Sequence, residues 1–282
     1  MLFLGIVIIS AAAAILLFIF DLISGIGMIV AFCICFAVML VLWALTCVIF
    51  SAFVDKSKPC MKHSRIFRFY ANCIIDSVVQ LMRIRLHVTG LEKLPEEKFL
   101  LVGNHKSSMD PILEMGVLRR YNVGFVAKKQ LFAMPIIGKI MHKCHCVSLD
   151  RENPRKNVKT ILNVIDIIKS GEASIGIYPE GRRNNGAGLL PFKPGAFKIA
   201  QKAGCPVVVA VIRNSELVKK NAPFRKTDVY VDFINVIGQT QVSGSTIEQM
   251  SAMVYNDMRN FLNHENDHAI TSKSCNDNNR YL

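Results

Sequence analysis

"ASIGIYPEGRR" (Ala173–Arg183) joins a mostly apolar run to an abrupt break. A short β-type run bounded by turn residues reads as a buried strand. Pro179–Glu180–Gly181 turns the chain sharply, which leaves Glu180, Gly181, Arg182 and Arg183 at the strand's exit. Outward from this stretch, strands and helices alternate. Strands are expected at 84–90, 98–104, 123–128, 144–150, 205–212 and 228–237. Between them fall helical patterns at 111–120, 135–143 and 153–170, then one at 194–204 that stops at Gly204, and one near 246–263. In the 153–170 pattern, Val158, Ile161, Leu162, Ile165 and Ile168 form an apolar stripe. The alternation predicts an α/β fold, a mixed sheet flanked by helices and preceded by an N-terminal membrane helical hairpin.

The hairpin follows from charge. Of 282 residues, 51% are hydrophobic, yet Asp21 is the one charged side chain within 1–53. The remaining chain holds 34 Lys and Arg against 20 Asp and Glu, a net +14. The first twenty residues match the length of a bilayer crossing, and a second apolar run spans about 28–54. "DLISGIG" between them is a turn signal. A cleaved signal peptide fits poorly, because no basic segment precedes the first run and a second run follows it. The hairpin either crosses the bilayer or lies in one leaflet. Lys56, Lys58, Lys62, Arg65 and Arg68 follow it, which by the positive-inside rule puts the body on the cytoplasmic side, against anionic membrane lipid. Excess positive charge also suits nucleic acid, but the chain lacks zinc-finger spacing and an aromatic RNA-binding signature, so no nucleic-acid partner is expected. The domains expected are a hairpin over 1–54, an α/β body over 55–262, and a polar, mobile tail over 263–282.

Nine cysteines on a cytoplasmic chain do not suggest a disulfide framework. "HKCHCVSL" (142–149) is read as a β-like run with the Cys144 and Cys146 sulfurs on one face. No second Cys/His cluster completes a ligand set, so no metal is expected.

In sheets of this kind chemistry sits beyond the carboxyl ends of strands. Three loops qualify: "NHKSSMD" (104–110), "KK" (128–129) and "PEGRR" (179–183). Asp110 before Pro111 also reads as an ordinary helix cap. Placed in the loop and at the next helix's first turn, His105 and Asp110 can hydrogen-bond, with the carboxylate fixing the imidazole tautomer. Such a histidine can take a proton from a hydroxyl at neutral pH. That hydroxyl belongs to Ser107, to Ser108 or to a substrate. Lysine and arginine beside it suit an anion such as phosphate, with a solvated basic surface as the plain alternative. Glu180 is expected to hold an arginine or to orient a substrate hydroxyl.

"NHKSSMD", "VAKKQLFAMPIIG", "YPEGRR" and "AGCPVVVAVI", in that order, resemble the four sequence blocks of the glycerolipid acyltransferase family, over about 84–212. The resemblance implies that His105 and Asp110 are catalytic and that Lys128 and Arg183 bind phosphate. It also implies a membrane-embedded helical pair at the amino terminus. Two departures stand out, Arg182 where the family has threonine and Val209 where it has a second proline. The expected reaction moves a fatty acyl group from acyl-CoA or acyl carrier protein to the 2-hydroxyl of 1-acylglycerol 3-phosphate, making phosphatidic acid without a cofactor. Lys128, Arg182, Arg183 and Gly181 are expected around the phosphate, with Glu180 supporting an arginine. The alternatives are an acyltransferase for another lysophospholipid, a membrane-bound serine hydrolase, or a non-catalytic lipid-binding protein.

Overall fold

The computed structural model describes residues 2–56, 60, 62–149, 154–184, 186 and 188–278. Two apolar helices come first, α1 (Leu2–Ile19) and α2 (Gly25–Ala52), packed on each other. Ser24 caps α2 by accepting the Gly27 N–H at 3.2 Å. At 28 residues, α2 is long and apolar enough to cross a membrane, and the apolar Leu4–Ile19 stretch is shorter. Their outward side chains, Ile26, Ile29, Val41 and Leu45 among them, are exposed. Of the basic residues after α2, Lys58 lies outside the described residues. Arg68 does not face head groups, since its guanidinium donates to Val123 O, Asn122 Oδ1 and Cys144 O inside the body.

The sequence reading has no element between the hairpin and the first strand, where the chain forms α3 (Arg65–Leu81). It buries Phe67, Tyr70, Ala71 and Ile75, with Ile74 packed alongside, the spacing of one helical face. Then follow β1 (Ile84–Thr89), β2 (Leu100–Gly103), α4 (Asp110–Val117), β3 (Val123–Lys128), α5 (Lys129–Ala133), α6 (Ile137–Lys143) and β4 (Val147–Leu149). The chain continues through α7 (Pro154–Lys169), β5 (Ser174–Ile177), α8 (Lys198–Ala203), β6 (Val207–Arg213) and α9 (Val218–Asn221). It closes with β7 (Thr227–Ile237), α10 (Gln239–Gly244) and α11 (Ile247–Asn278).

The seven strands lie in the order β1-β7-β6-β2-β5-β3-β4. Among the described residues the β6–β7 pair alone is antiparallel, so the sheet is mixed. Period-two alternation splits the central strands between two cores. Leu100, Val102, Val207, Val209 and Val211 pack with Val164, Ile168, Ile199 and Met250 on one side. Leu101, Val208, Ala210 and Ile212 pack with Phe99, Leu113 and Phe125 on the other. Both faces are covered, which is why these strands read as continuous apolar runs.

Four expectations need correction. Cys144 to Cys146 are not in a strand: Cys144 caps α6, and His145 takes a left-handed backbone at φ 60° before β4 begins. The core stripe of α7 runs through Ile161, Val164, Ile165 and Ile168, leaving Val158 and Leu162 exposed. Positions spaced i, i+3, i+4 and i+7 from Ile161 share one face, and Val158 and Leu162 fall to its side. α5 adds a turn of helix between β3 and α6. Finally, α11 continues to Asn278 instead of stopping near 263. Neither glycine nor proline interrupts 247–278, so nothing in the backbone chemistry ends it earlier. Residues 279–282 of the expected tail lie outside the described residues.

Candidate active site

The parallel strands β2, β5 and β3 are neighbours, so the loops leaving their carboxyl ends share one end of the sheet. That topology brings together segments more than seventy residues apart in sequence. Asn104, just past β2, fixes the first loop. Its buried side-chain amide donates to Ile212 O at 2.9 Å and accepts from Ile212 N at 2.8 Å, tying the loop to β6. His105 follows, with its ring 15% exposed.

Asp110 is fully buried, and its carboxylate is saturated. Oδ2 lies 2.8 Å from His105 Nδ1 and accepts the backbone N–H groups of Lys106 and Ser107, each at 2.7 Å. Oδ1 accepts from Ser215 Oγ, beyond the end of β6. The helix-cap reading therefore needs revision. Asp110 turns back onto the loop before its own helix, and the N-cap position belongs to Met109. The bond to Asp110 puts the imidazole proton on Nδ1 and leaves the Nε2 lone pair free to accept one. Nothing in the sequence pattern pointed to Ser215, 105 residues from its partner.

Glu180 is likewise buried, and it does not hold an arginine. Its Oε1 accepts the His105 N–H at 2.9 Å and its Oε2 the Leu190 N–H at 3.0 Å. Asn184 N donates to His105 O at 2.7 Å. The β5 exit loop is thus stitched to the backbone of His105 on both sides. Gly181 has φ +70°, and a Cβ there would come 3.0 Å from Lys193 Cε. This is a position glycine suits on both counts.

Lys128 ends β3, and Arg182 and Arg183 follow Gly181. All three are exposed, and among the described residues no carboxylate pairs with them. Ser107 is buried, and its Oγ accepts the Met109 N–H at 3.2 Å, whereas Ser108 is exposed. Cys144 and Cys146 are buried, and burial pushes the Cys144 thiol up to about 12, so it stays protonated.

The ends of β3, β4 and β5 and the helices α7 and α8 line an open, largely apolar pocket of about 400 Å³. Val126, Leu149, Ile161, Ile177 and Ile199 line it together with Tyr178, whose ring stacks on His105. An apolar chain fits there by the ordinary rule of like surface.

Residues 85–213 match the family model described as "Acyltransferase". Over that segment the chain is similar to the acyltransferase family. Among similar proteins is the 1-acyl-sn-glycerol-3-phosphate acyltransferase of Limnanthes alba, 28% identical over 209 residues, 72% of either chain. The enzyme of the same name from Escherichia coli is 30% identical over 154 residues, 54% of this chain and 62% of that one. In fold the chain is similar to the crystal structure of the 1-acyl-sn-glycerophosphate acyltransferase PlsC from Thermotoga maritima. The TM-score is 0.58 at 20% identity, covering 80% of this chain and 89% of that one. The matched acyltransferase segment opens in β1 and closes with β6, so it contains every loop described above except Ser215.

Proposed function

We propose that this acyltransferase moves a fatty acyl group from the thioester of acyl-CoA or acyl carrier protein to the 2-hydroxyl of 1-acylglycerol 3-phosphate. The observation that carries the reading is the saturated, buried Asp110 fixed on Nδ1 of a partly exposed His105. His105 Nε2 takes the hydroxyl proton as the oxygen attacks the thioester carbonyl. The C–O bond forms, the C–S bond breaks, and the thiolate leaves with the proton from the imidazolium. Lys128, Arg182 and Arg183 hold the acceptor phosphate, and the cavity behind Tyr178 takes an acyl chain. The names of the relatives support this acceptor. An acyl-enzyme on Ser107 is disfavoured because its Oγ is engaged by a backbone N–H in a buried turn. The deciding assay is thiol release from acyl-CoA with and without acceptor. Release that depends on 1-acylglycerol 3-phosphate supports transfer, and release without it supports hydrolysis.

The phosphate clamp gives a second test. Arg183→Ala is expected to raise KM for 1-acylglycerol 3-phosphate by roughly 10- to 150-fold, the worth of one charged hydrogen bond at about 1.5–3 kcal/mol. KM for the thioester should hardly move. An equal penalty on an acceptor lacking phosphate would remove Arg183 from the clamp.

The hairpin supports a membrane-bound enzyme, and Lys56, Lys62 and Arg65 just beyond it favour a body on the cytoplasmic side. The full chain should stay with membranes through a high-salt wash, whereas a chain starting near Asp55 should be released by it. That shorter chain should also melt lower, because Trp43 and Cys47 of α2 pack against Tyr70 of α3 and Ile140 of α6. Proteolysis of the body in sealed vesicles that enclose their cytoplasmic face would reverse the proposed sidedness.

A further inference from the structure

The ring of Tyr178, two residues before Glu180, lies flat against His105, with centroids 4.3 Å apart and planes 4° from parallel. The Tyr178 ring also stacks on Phe125 of β3 at 5.7 Å and 20°. Tyr178 thus links the buried Phe125 to the partly exposed histidine. The Tyr178 hydroxyl donates to Oε2 of Glu114 at 2.6 Å. Glu114 sits one turn after Asp110 on α4 and is fully buried. One helix therefore presents two carboxyl groups to the site, Asp110 to the imidazole itself and Glu114 to the ring beneath it. Gly103 makes the space: a Cβ at the end of β2 would lie 3.2 Å from Glu114 Oε1 and 3.3 Å from Tyr178 Cε1.

We infer that Tyr178 is a positioning residue, a platform that holds the His105 ring in plane and stabilises the imidazolium formed during transfer, and that Glu114 anchors it through the hydroxyl. The inference rests on the reading of His105 as the base. An imidazolium over an aromatic face gains from the ring's quadrupole, and the neutral imidazole gains little, so the contact strengthens as the proton arrives. Burial raises the Glu114 carboxyl to about 8 against the Tyr178 hydrogen bond, which lowers it, with a smaller upward push from Asp110, and this favours the neutral form near pH 7. Asp110 then supplies the negative charge that meets the imidazole at Nδ1, and Glu114 acts through its hydrogen bond.

The test is steady-state kinetics on the full chain in detergent micelles, with a long-chain acyl-CoA and 1-acylglycerol 3-phosphate. Tyr178→Leu removes the ring and should lower kcat by roughly 10-fold or more, a loss that persists when both substrates are saturating, whatever happens to KM for the acyl chain that the ring also borders. Tyr178→Phe keeps the stack and should lie much closer to the parent. Glu114→Gln keeps a neutral acceptor for the hydroxyl and should stay within about threefold of it. Unchanged kcat in Tyr178→Leu, or a loss in Glu114→Gln as large as in Tyr178→Leu, would overturn the platform. If Tyr178→Leu does not fold, the double variant Tyr178→Phe/Glu114→Gln decides. It should be no slower than Tyr178→Phe alone, and a further loss beyond about threefold would refute the pairing. His105→Ala, run alongside, keeps the two readings apart. An inactive His105→Ala beside an unimpaired Tyr178→Leu sinks the platform alone, while an active His105→Ala removes the base and the platform with it.

Discussion

His105→Ala is expected to reduce acyl transfer by roughly 10²- to 10⁴-fold, the contribution of a positioned general base. The loss should fall on kcat, because the imidazole acts when the hydroxyl proton leaves and adds little to binding of either substrate. Folding should survive. The His105 backbone, which the fold does use, keeps its bonds to Glu180 and Asn184 whatever the side chain. Thermal melting close to the parent's, together with the lost turnover, is the expected pair of results. Near-normal turnover in the purified variant would end the proposed mechanism.

Replacing Asp110 should separate two functions of one carboxylate. In Asp110→Asn the amide oxygen can still accept the His105, Lys106 and Ser107 N–H groups, while the amide NH₂ faces Ser215, whose hydroxyl can turn to accept from it. The loop and the tautomer are then kept, but the charge that stabilises the imidazolium is gone. Turnover is expected to fall at least about 100-fold with modest loss of stability. Asp110→Ala leaves three N–H donors and a buried hydroxyl without their acceptor, at a cost of roughly 1–3 kcal/mol for each that water cannot reach. It should therefore melt well below Asp110→Asn. Two variants equal in both turnover and melting temperature would contradict this division.

Much of this was legible in the sequence, for reasons the structure makes plain. Strands such as 205–212 and 173–177 are buried on both faces, so their apolar runs stand out without knowledge of their neighbours. The loops bearing His105, Lys128 and Glu180 could be placed at one end because parallel strands put all their exits on one side. Partnerships set by tertiary contact were not legible. Glu180 looked like a mate for the adjacent arginines, and its mates are instead backbone groups at His105 and Leu190. Ser215 and Tyr178 carried no spacing signal, since each reaches the site from a different strand. The α3 helix is legible in the spacing of Phe67, Tyr70, Ile74 and Val78, but Arg65 and Arg68 among them read equally well as part of a basic membrane-surface stretch.

The cluster that joins Trp43 and Cys47 to Tyr70 and Ile140 means that α2 is not a tether. A flexible leash would let the catalytic end roam over the lipid surface at any height its length allowed. Packed on Tyr70 and Ile140, an α2 seated in a bilayer would carry the body with it, so its tilt would tip the mouth beside His105. On the proposed function, bilayer thickness would then act on the enzyme: a thinner hydrocarbon layer that forced α2 to lean would alter how far a lysolipid must rise to meet the imidazole.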